Sequence, residues 1–276
     1  MSTIYFTKNP DRKRFVASLM PRFRDKIEGK VLMKVNLVSY NPYPTTTHPE
    51  MIEAVYDQIK SRASEIICGD GHGLDVPTKK LEHHPIIEKC KELDIPFVNF
   101  YDHPFKKVKT TRGFTLKVSE IPFKQDFIIS LPILKEHFIV KLTNALKDKF
   151  GYLAKTERLK IHTKLKDINK AIAELNTVFK SNLIICDALK VMVGAQEFRH
   201  GGKEKDFGHL FAGIDPIALD YYGCELLHPI SIQLKNIDNP IQIKYIKHAL
   251  DYGVGSKEYN LEEIFFGEST VREIKD

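Results

Sequence analysis

Short apolar strand-like runs alternate with helical segments along most of this chain. Residues 31–38 form the first apolar run, and residues 49–62 follow it with apolar side chains at helical spacing. Two further strand-like runs, 65–68 and 96–100, enclose a helical segment at 84–93. Alternation of this kind is typical of a parallel sheet with crossover helices. The sequence therefore predicts an α/β protein with a mostly parallel sheet.

One segment departs from this alternation. Residues 108–118 alternate apolar and polar side chains around Arg112 and Gly113. The pattern predicts an inserted antiparallel hairpin, in which Gly113 supplies the positive φ of a tight turn. We expect one domain over residues 1–276, with this hairpin marking a seam between two lobes near residues 105–125.

Composition restricts the location and the partners. No apolar run approaches the ~18 residues of a membrane span, and the N-terminal segment lacks the apolar core of a signal peptide, so a cytoplasmic location is expected. The net charge is +6, with the lysines spread along the chain. That distribution suits a small anionic ligand and makes nucleic acid an unlikely partner. The oligomeric state stays open.

The four cysteines carry no metal-binding pattern. No CxxC pair occurs, so the sequence contains no local motif for a zinc ribbon or an iron–sulfur cluster. Because the location is expected to be cytoplasmic, we predict free thiols and no structural disulfide. The cysteines are Cys68, Cys90, Cys186 and Cys224.

A threonine-rich turn joins the first predicted strand to its helix. Thr46, Thr47 and His48 precede Pro49, which suits the first helical position. Free backbone N–H groups at such a helix start can bind an anion, so these three residues are candidates for substrate binding. The alternative is an ordinary helix cap.

A glycine-rich segment ends the second predicted strand. Asp70 and His72 alternate there with three glycines. Ligands bind outside the carboxyl ends of strands in open α/β sheets, so Asp70 is a candidate acid/base group and both residues are candidate ligands for a divalent metal. The alternative is a glycine-rich turn with solvated polar side chains.

Lysines and a histidine follow the strand predicted at 126–131. Lys135 and His137 precede a predicted helix over residues 140–150. Three polar residues would share a broad face of that helix: Lys141, Asn144 and Lys147. The cluster could hold a carboxylate or phosphate, with His137 moving protons near neutral pH. The alternative is a solvated helix face.

A long polar loop is expected after the strand predicted at 182–186, which ends at Asp187. Gly202 in that loop is a candidate for substrate binding, although the loop also suits a plain surface connection.

Asp215 and Asp220 flank the start of a later helix. Asp215 suits a helix cap, and Asp220 suits a buried polar contact as well as a functional role.

Taken in order, these segments resemble the DUF362 family over residues 34–267. The segments that carry the resemblance are KVNLV, TTTHPE, GDGHG, SLPILKEH, KLTNALKDKFG, IICDAL, AGIDPIALD and ALDYGVG. Some members of that family carry an added ferredoxin-like cluster domain, for which this chain lacks the cysteines. The chain is also distantly similar to the lactate-racemase family of nickel-pincer enzymes.

The DUF362 resemblance implies which residues occupy family motif positions without implying their roles. These are Lys34, Asn36, Thr46, Thr47, His48, Asp70, Lys135, His137, Asn144, Lys147, Gly202, Asp215 and Asp220.

The sequence thus favours an enzyme that acts on a small carboxylate or phosphate by proton transfer or isomerisation, in a cleft at the strand carboxyl ends. We expect Thr46, Asp70, Lys135 and Asp187 to meet in that cleft. The predicted catalytic residues are His137, Lys135 and Asp70. The predicted substrate-binding residues are Thr46, Thr47, His48, Asn144, Lys147 and Gly202. The alternative is a non-catalytic carrier or maturation protein for a metal, a cofactor or an iron–sulfur partner.

Overall fold

The computed structural model describes residues 2–266 of the chain, which contain twelve strands and eight α-helices. The strands are β1 (Ser2–Thr7), β2 (Lys30–Val35), β3 (Glu65–Asp70), β4 (Phe97–Asn99), β5 (Phe105–Lys109), β6 (Thr115–Ser119), β7 (Phe127–Leu131), β8 (Ile133–His137), β9 (Lys141–Thr143), β10 (Leu183–Val193), β11 (Lys203–Gly213) and β12 (Tyr259–Glu263). The helices are α1 (Arg12–Leu19), α2 (Pro49–Ile59), α3 (Pro85–Glu92), α4 (Ala145–Asp148), α5 (Lys155–His162), α6 (Ile168–Val178), α7 (Pro216–Leu227) and α8 (Lys244–Asp251).

Ten strands form one large sheet. Its order is β12-β1-β11-β10-β7-β2-β3-β4, with β8 beside β10 and β9 beside β8. The strands from β10 to β4 run parallel to one another, whereas β11 is antiparallel to both of its neighbours. The prediction of an α/β fold with a mostly parallel sheet is confirmed.

Helices cover both faces of the sheet, which explains the nearly continuous apolar runs of its strands. In β2, Val31 and Met33 pack in one hydrophobic cluster with residues of α1, α2 and α3. Leu32 points to the other face and belongs to a second cluster with residues of α6, α7 and α8. Both faces of a central parallel strand are therefore buried.

The predicted hairpin is present. Strands β5 and β6 pair antiparallel as a separate two-stranded sheet, and Gly113 in the turn has a φ of +79°. A side chain is strained at that φ, which explains the glycine. The lobe seam near 105–125 stays a prediction.

The predicted helix over residues 140–150 is wrong. Residues 141–143 form β9, which pairs antiparallel with β8, and Lys141 has a φ of +76° beside the turn. Helix α4 begins only at Ala145, because Asn144 has an extended backbone with a φ of −161°. Lys141 and Lys147 therefore do not share a helix face.

The strand predicted at 182–186 is too short. Strand β10 continues to Val193 and pairs antiparallel with β11 over most of its length. The first four residues of β11 are exposed and charged, which gives them the composition of a loop. Tertiary pairing with β10 overrides that local signal.

The four cysteines are buried and free. Gly202 lies at the end of the connection between β10 and β11. No helix in the described part of the chain is long and apolar enough to cross a membrane. The cytoplasmic location stays a prediction.

Candidate anion-binding pocket

A pocket of about 340 Å³ opens at the carboxyl ends of β2 and β8. Asn36 follows β2, and Lys135 and His137 lie on β8. These two β8 residues share a strand face because they are two positions apart. The remaining polar lining comes from the segment after β3, from β9, α4 and α5, and from the β10–β11 connection: Asp75, Thr143, Lys147, Arg158, His162, Gln196, Glu197, Arg199 and His200.

Lys135 is buried at the wall of this pocket, with 1% of its surface exposed. Its ammonium group donates hydrogen bonds to the backbone carbonyl oxygen of Thr45 at 2.6 Å and to Oδ1 of Asn36 at 3.1 Å. It forms no ion pair with a carboxylate of residues 2–266. Burial lowers the pKa of Lys135 to about 8, because the charged form loses its contact with water.

Lys147 is the second cation of the pocket. Nothing in the described structure accepts a hydrogen bond from its ammonium group or pairs with it, and its nearest aromatic ring centre, that of Phe150, is 5.3 Å away. Burial lowers the pKa of Lys147 to about 7, and the charges of Lys135 and Arg158 lower it further in the same direction. Lys147 is therefore close enough to Lys135 and Arg158 to be repelled by both.

Arg158 of α5 is the third cation, and it is 5% exposed. Its Nη1 donates to the carbonyl oxygen of His72 and its Nη2 to that of Gly71, each at 2.7 Å. Its Nε is buried without a hydrogen-bond partner. Neutral carbonyl groups orient this guanidinium, and its charge is left without a neutralising carboxylate.

Two carboxylates line the pocket, and a fourth cation binds both. Arg199 contacts Asp75 through Nη1 at 2.6 Å and Nη2 at 3.0 Å, and its Nε donates to Glu197 at 2.6 Å. The lining thus carries four cationic side chains against two carboxylates. A bound anion would reduce the repulsion among Lys135, Lys147 and Arg158.

His137 contributes a hydrogen-bond donor. Its Nδ1 accepts from the backbone N–H groups of Ile139 at 3.2 Å and Val140 at 3.5 Å. The proton of the neutral ring therefore lies on Nε2, which makes no hydrogen bond within the described residues. Burial lowers the pKa of His137 well below its ordinary value, and the charges of Lys147 and Lys135 add to this effect. His137 is consequently neutral at pH 7.

Several residues predicted from sequence lie behind the pocket wall. Thr46 donates to the carbonyl oxygen of Asn41 at 3.0 Å, and Thr47 donates to that of Leu131 at 2.7 Å. His48 caps α2 by accepting from the backbone N–H of Glu50 at 3.1 Å. These contacts hold the turn between β2 and α2, so the structure places the threonine-rich segment in a supporting position.

Asn144 and Gly202 are also placed in supporting positions. The Asn144 amide donates to the carbonyl oxygen of Leu219 at 3.0 Å, which ties the start of α4 to α7. A Cβ atom on Gly202 would lie 2.6 Å from the carbonyl oxygen of Ala195 and from Cε of Met192. This close packing fixes the connection that carries Glu197 and Arg199.

Asp70 belongs to a buried ion-pair cluster beneath the pocket. Lys34, which is fully buried, lies 2.9 Å from Asp70 and 3.1 Å from Asp148. Asp70 also accepts from the backbone N–H groups of Leu37 at 2.7 Å and Gly71 at 2.8 Å. Its oxygens are therefore occupied by donors that tie β2, β3 and α4 together.

Asp70 and His72, the two candidate metal ligands, already make hydrogen bonds to protein atoms. His72 contacts the carbonyl oxygen of Gly73 at 2.9 Å and the hydroxyl of Thr78 at 3.1 Å. Within residues 2–266, no three His, Cys, Asp or Glu side chains converge in a way that would hold a metal ion. Asp70 and His72 therefore do not fit a metal centre built from the described residues.

Of the four residues expected to meet in one cleft, only Lys135 lines this pocket. Thr46 and Asp70 lie behind it. Asp187 accepts from Arg12 at 2.7 Å and from the hydroxyl of Tyr43 at 2.9 Å. Asp215 and Asp220 have the structural roles that the sequence also allowed. Asp215 caps α7, and Asp220 accepts a hydrogen bond from Tyr245 at 3.2 Å in the core.

Sequence reasoning missed Arg158, His162, Glu197 and Arg199. Arg158 and His162 are four residues apart, which places both on one face of α5. That spacing is the local signal, but it is common on solvated helices. The contacts that reveal their role join segments distant in sequence.

Two comparisons with known proteins bear on the fold. The thylakoid-associated protein sll1697 of Synechocystis sp. (strain ATCC 27184 / PCC 6803 / Kazusa) is 25% identical over 204 residues, which cover 72% of this chain and 63% of that protein. This chain therefore matches less than two thirds of that relative's length. The lactate racemase apoprotein from Thermoanaerobacterium thermosaccharolyticum superposes with a TM-score of 0.53 at 13% identity, covering 83% of this chain and 58% of that one.

The structural match confirms the suspected distant likeness to lactate racemase at the level of the fold. A family model described as "Domain of unknown function (DUF362)" matches residues 31–225, which is most of the chain and includes β2, β8, α4 and α5. The chain belongs to the DUF362 family.

Proposed function

We propose that this protein is an enzyme that binds a small carboxylate or phosphate in the pocket and catalyses proton transfer or isomerisation on it. The observation that supports this most strongly is the convergence of Lys135, Lys147 and Arg158 without carboxylate partners among the described residues. Lys135 and Arg158 are buried, and Lys147 is partly buried. Buried cations are normally paired, so a cluster of this kind without ion pairs supports a site that is completed by an anion.

The lysines and the arginine would supply most of the binding energy. A hydrogen bond to a charged group contributes about 1.5–3 kcal/mol, whereas an exposed helix N-terminus contributes about 0.3–1 kcal/mol. The N-terminus of α2 lies behind Thr46 and Thr47, whose hydroxyl groups already bind protein carbonyl groups. We therefore assign substrate binding to the cations and assign support of the wall to the threonines.

Two of these lysines also suit acid/base chemistry. A pKa of about 7 for Lys147 and about 8 for Lys135 leaves both the charged and the neutral form populated near neutral pH. A catalytic group works best when its pKa lies near the operating pH. His137, as a neutral ring with its proton on Nε2, would donate a hydrogen bond to a substrate oxygen. Asp70 would act by holding Lys34 and the surrounding strands.

Hydrogen exchange at a substrate carbon tests the catalytic part of the proposal. Small 2-hydroxy and 2-oxo carboxylates, chosen for the size and charge of the pocket, are incubated with the protein in D₂O and followed by ¹H NMR. We expect loss of the C–H signal beside the carboxylate or carbonyl group. Replacing a general acid or base typically costs ~10²–10⁴-fold in rate, so Lys147→Met should slow exchange to that extent.

Lys160→Met is the matched control, because Lys160 is an exposed lysine on the outer side of α5. It should exchange at the wild-type rate. Binding of these anions without any exchange in the wild type would favour the alternative, a carrier that holds its ligand without turnover.

A further inference from the structure

Lys147 differs from Lys135 and Arg158 because its side-chain nitrogen atom has no hydrogen-bond partner among the described residues. Lys135 uses two of its donors on Thr45 and Asn36, and Arg158 uses both terminal nitrogens on backbone carbonyl groups. The Lys147 amine makes no hydrogen bond to residues 2–266, although it stands at the same cavity. Its lone pair is therefore available for attack when the amine is neutral.

Resting on the proposed function, we propose that Lys147 is a nucleophile that forms an imine with a small oxo acid, a substrate in which a ketone or aldehyde lies next to a carboxylate. Lys135 and Arg158 would hold the carboxylate, with the unpartnered Nε of Arg158 as one donor. The carbonyl carbon would then face the remaining amine, which lines the same cavity. The cavity of about 340 Å³ is of a size that suits a small molecule.

The covalent step balances without a further reactant. The Lys147 ammonium loses one proton to water, and the free amine nitrogen forms a bond to the carbonyl carbon as the C=O π bond breaks. One N–H proton then moves to the oxygen, which becomes a hydroxyl group. A proton returns to that hydroxyl, the C–O bond breaks, and water leaves. The product is a protonated imine, which carries the single positive charge of the original ammonium. Hydrolysis by the reverse path releases the oxo acid.

Two buried polar groups at the cavity suit the oxygen atom that forms and leaves in this step. Oγ1 of Thr143 and Oε1 of Gln196 have no hydrogen-bond partner in the described structure, and the two residues are 2% and 7% exposed. They could accept a hydrogen bond from the carbinolamine hydroxyl or from the departing water. Burial and neighbouring cations keep the Lys147 pKa at about 7, which is a general way to activate a lysine nucleophile.

Reductive trapping tests the inference directly. The full chain is incubated with pyruvate or glyoxylate and sodium cyanoborohydride, and peptide mass spectrometry locates the reduced adduct. We expect one adduct, at Lys147, whose yield reaches half of its maximum near pH 7. An ordinary lysine, with a pKa of about 10.4, would require a far higher pH. Added phosphate should suppress the labelling by competing for the cations.

Lys147→Arg is the matched variant, because it keeps a positive charge and removes the nucleophile. It should lose the adduct while phosphate still raises its melting temperature. Lys149 is an internal control: burial lowers its pKa to about 8, but it binds Asn176 at 2.7 Å and lines a different cavity. It should remain unlabelled.

An adduct on Lys135, or equal labelling of many lysines in the wild type and in Lys147→Arg, would overturn the assignment to Lys147. Absence of any adduct while pyruvate still raises the wild-type melting temperature would overturn the covalent step and leave the proposed anion site standing. Absence of both the adduct and any anion-induced stabilisation would overturn both.

Discussion

The ammonium group of Lys135 lies 2.6 Å from the backbone carbonyl oxygen of Thr45. This bond joins β8 to the turn between β2 and α2, and Asn36 holds the same ammonium from the end of β2. The lysine is therefore fixed in position before any ligand arrives. A fixed cation loses little conformational freedom when an anion binds, which favours affinity.

Removing Lys34 should destabilise the protein strongly. Lys34→Met leaves Asp70 and Asp148 buried without their shared cation, and breaking a buried pair in this way costs about 3–5 kcal/mol. Urea denaturation would measure the change in the free energy of unfolding. Lys60→Met, which removes an exposed pair with Asp57, is the control and should change stability little. Equal effects of the two variants would contradict the role of the buried cluster.

The pocket lysines should make stability rise with pH just above neutrality. The pKa of Lys147 in the folded protein is about 7 and that of Lys135 about 8, both below the unfolded value of about 10.4. From pH 7 to 8.5 the unfolded chain binds more protons at these sites, so the free energy of unfolding increases with pH. Each group contributes at most about 1.4 kcal/mol per pH unit.

The variant Lys147→Met isolates this effect from other titrating groups. Its denaturation curves at pH 7 and pH 8.5 should differ less than those of the wild type. An unchanged pH slope would mean that Lys147 titrates at its ordinary pKa in the folded protein.

Gly202→Ala should weaken anion binding through the connection that carries Arg199. The added Cβ would overlap the carbonyl oxygens of Ala195 and Glu197, at 2.6 and 2.8 Å, so this connection must shift. Gly201→Ala is the matched control: it adds strain at a φ of +84° but points into open space. Both variants should lower the melting temperature, and Gly202→Ala alone should also weaken phosphate binding in calorimetry. Equal phosphate affinities would show that Gly202 supports only the fold.

Local patterns predicted the main elements of the sheet well. The apolar runs of β2, β3 and β7 and the hairpin around Gly113 are properties of contiguous sequence, and each occurs where the pattern predicted it. The helix expected over residues 140–150 is wrong because the pairing of Lys135 with Thr143 and the positive φ of Lys141 depend on the neighbouring strand.

The site was only partly accessible to the same reasoning. Lys135 and His137 follow a predicted strand, and that position indicated a role at the sheet edge. The threonines were recognised as a helix start, but the partner of the Thr47 hydroxyl group is the carbonyl oxygen of Leu131 on β7, which is distant in sequence. From the sequence alone, Arg158 is indistinguishable from a solvated arginine on a helix. Its role is revealed only by its hydrogen bonds to the carbonyl groups of Gly71 and His72, which are distant in sequence.

Anion binding by the pocket cations is the central claim, and thermal denaturation with a phosphate titration at constant ionic strength tests it most directly. An anion that binds only the folded state raises the melting temperature. We predict a concentration-dependent rise for the wild type, a clearly smaller rise for Lys135→Ala, and a wild-type rise for Thr46→Ala, whose hydroxyl binds Asn41 behind the pocket wall. If phosphate and small carboxylates leave the wild-type melting temperature unchanged, or if Lys135→Ala responds like the wild type, anion binding by these cations is contradicted.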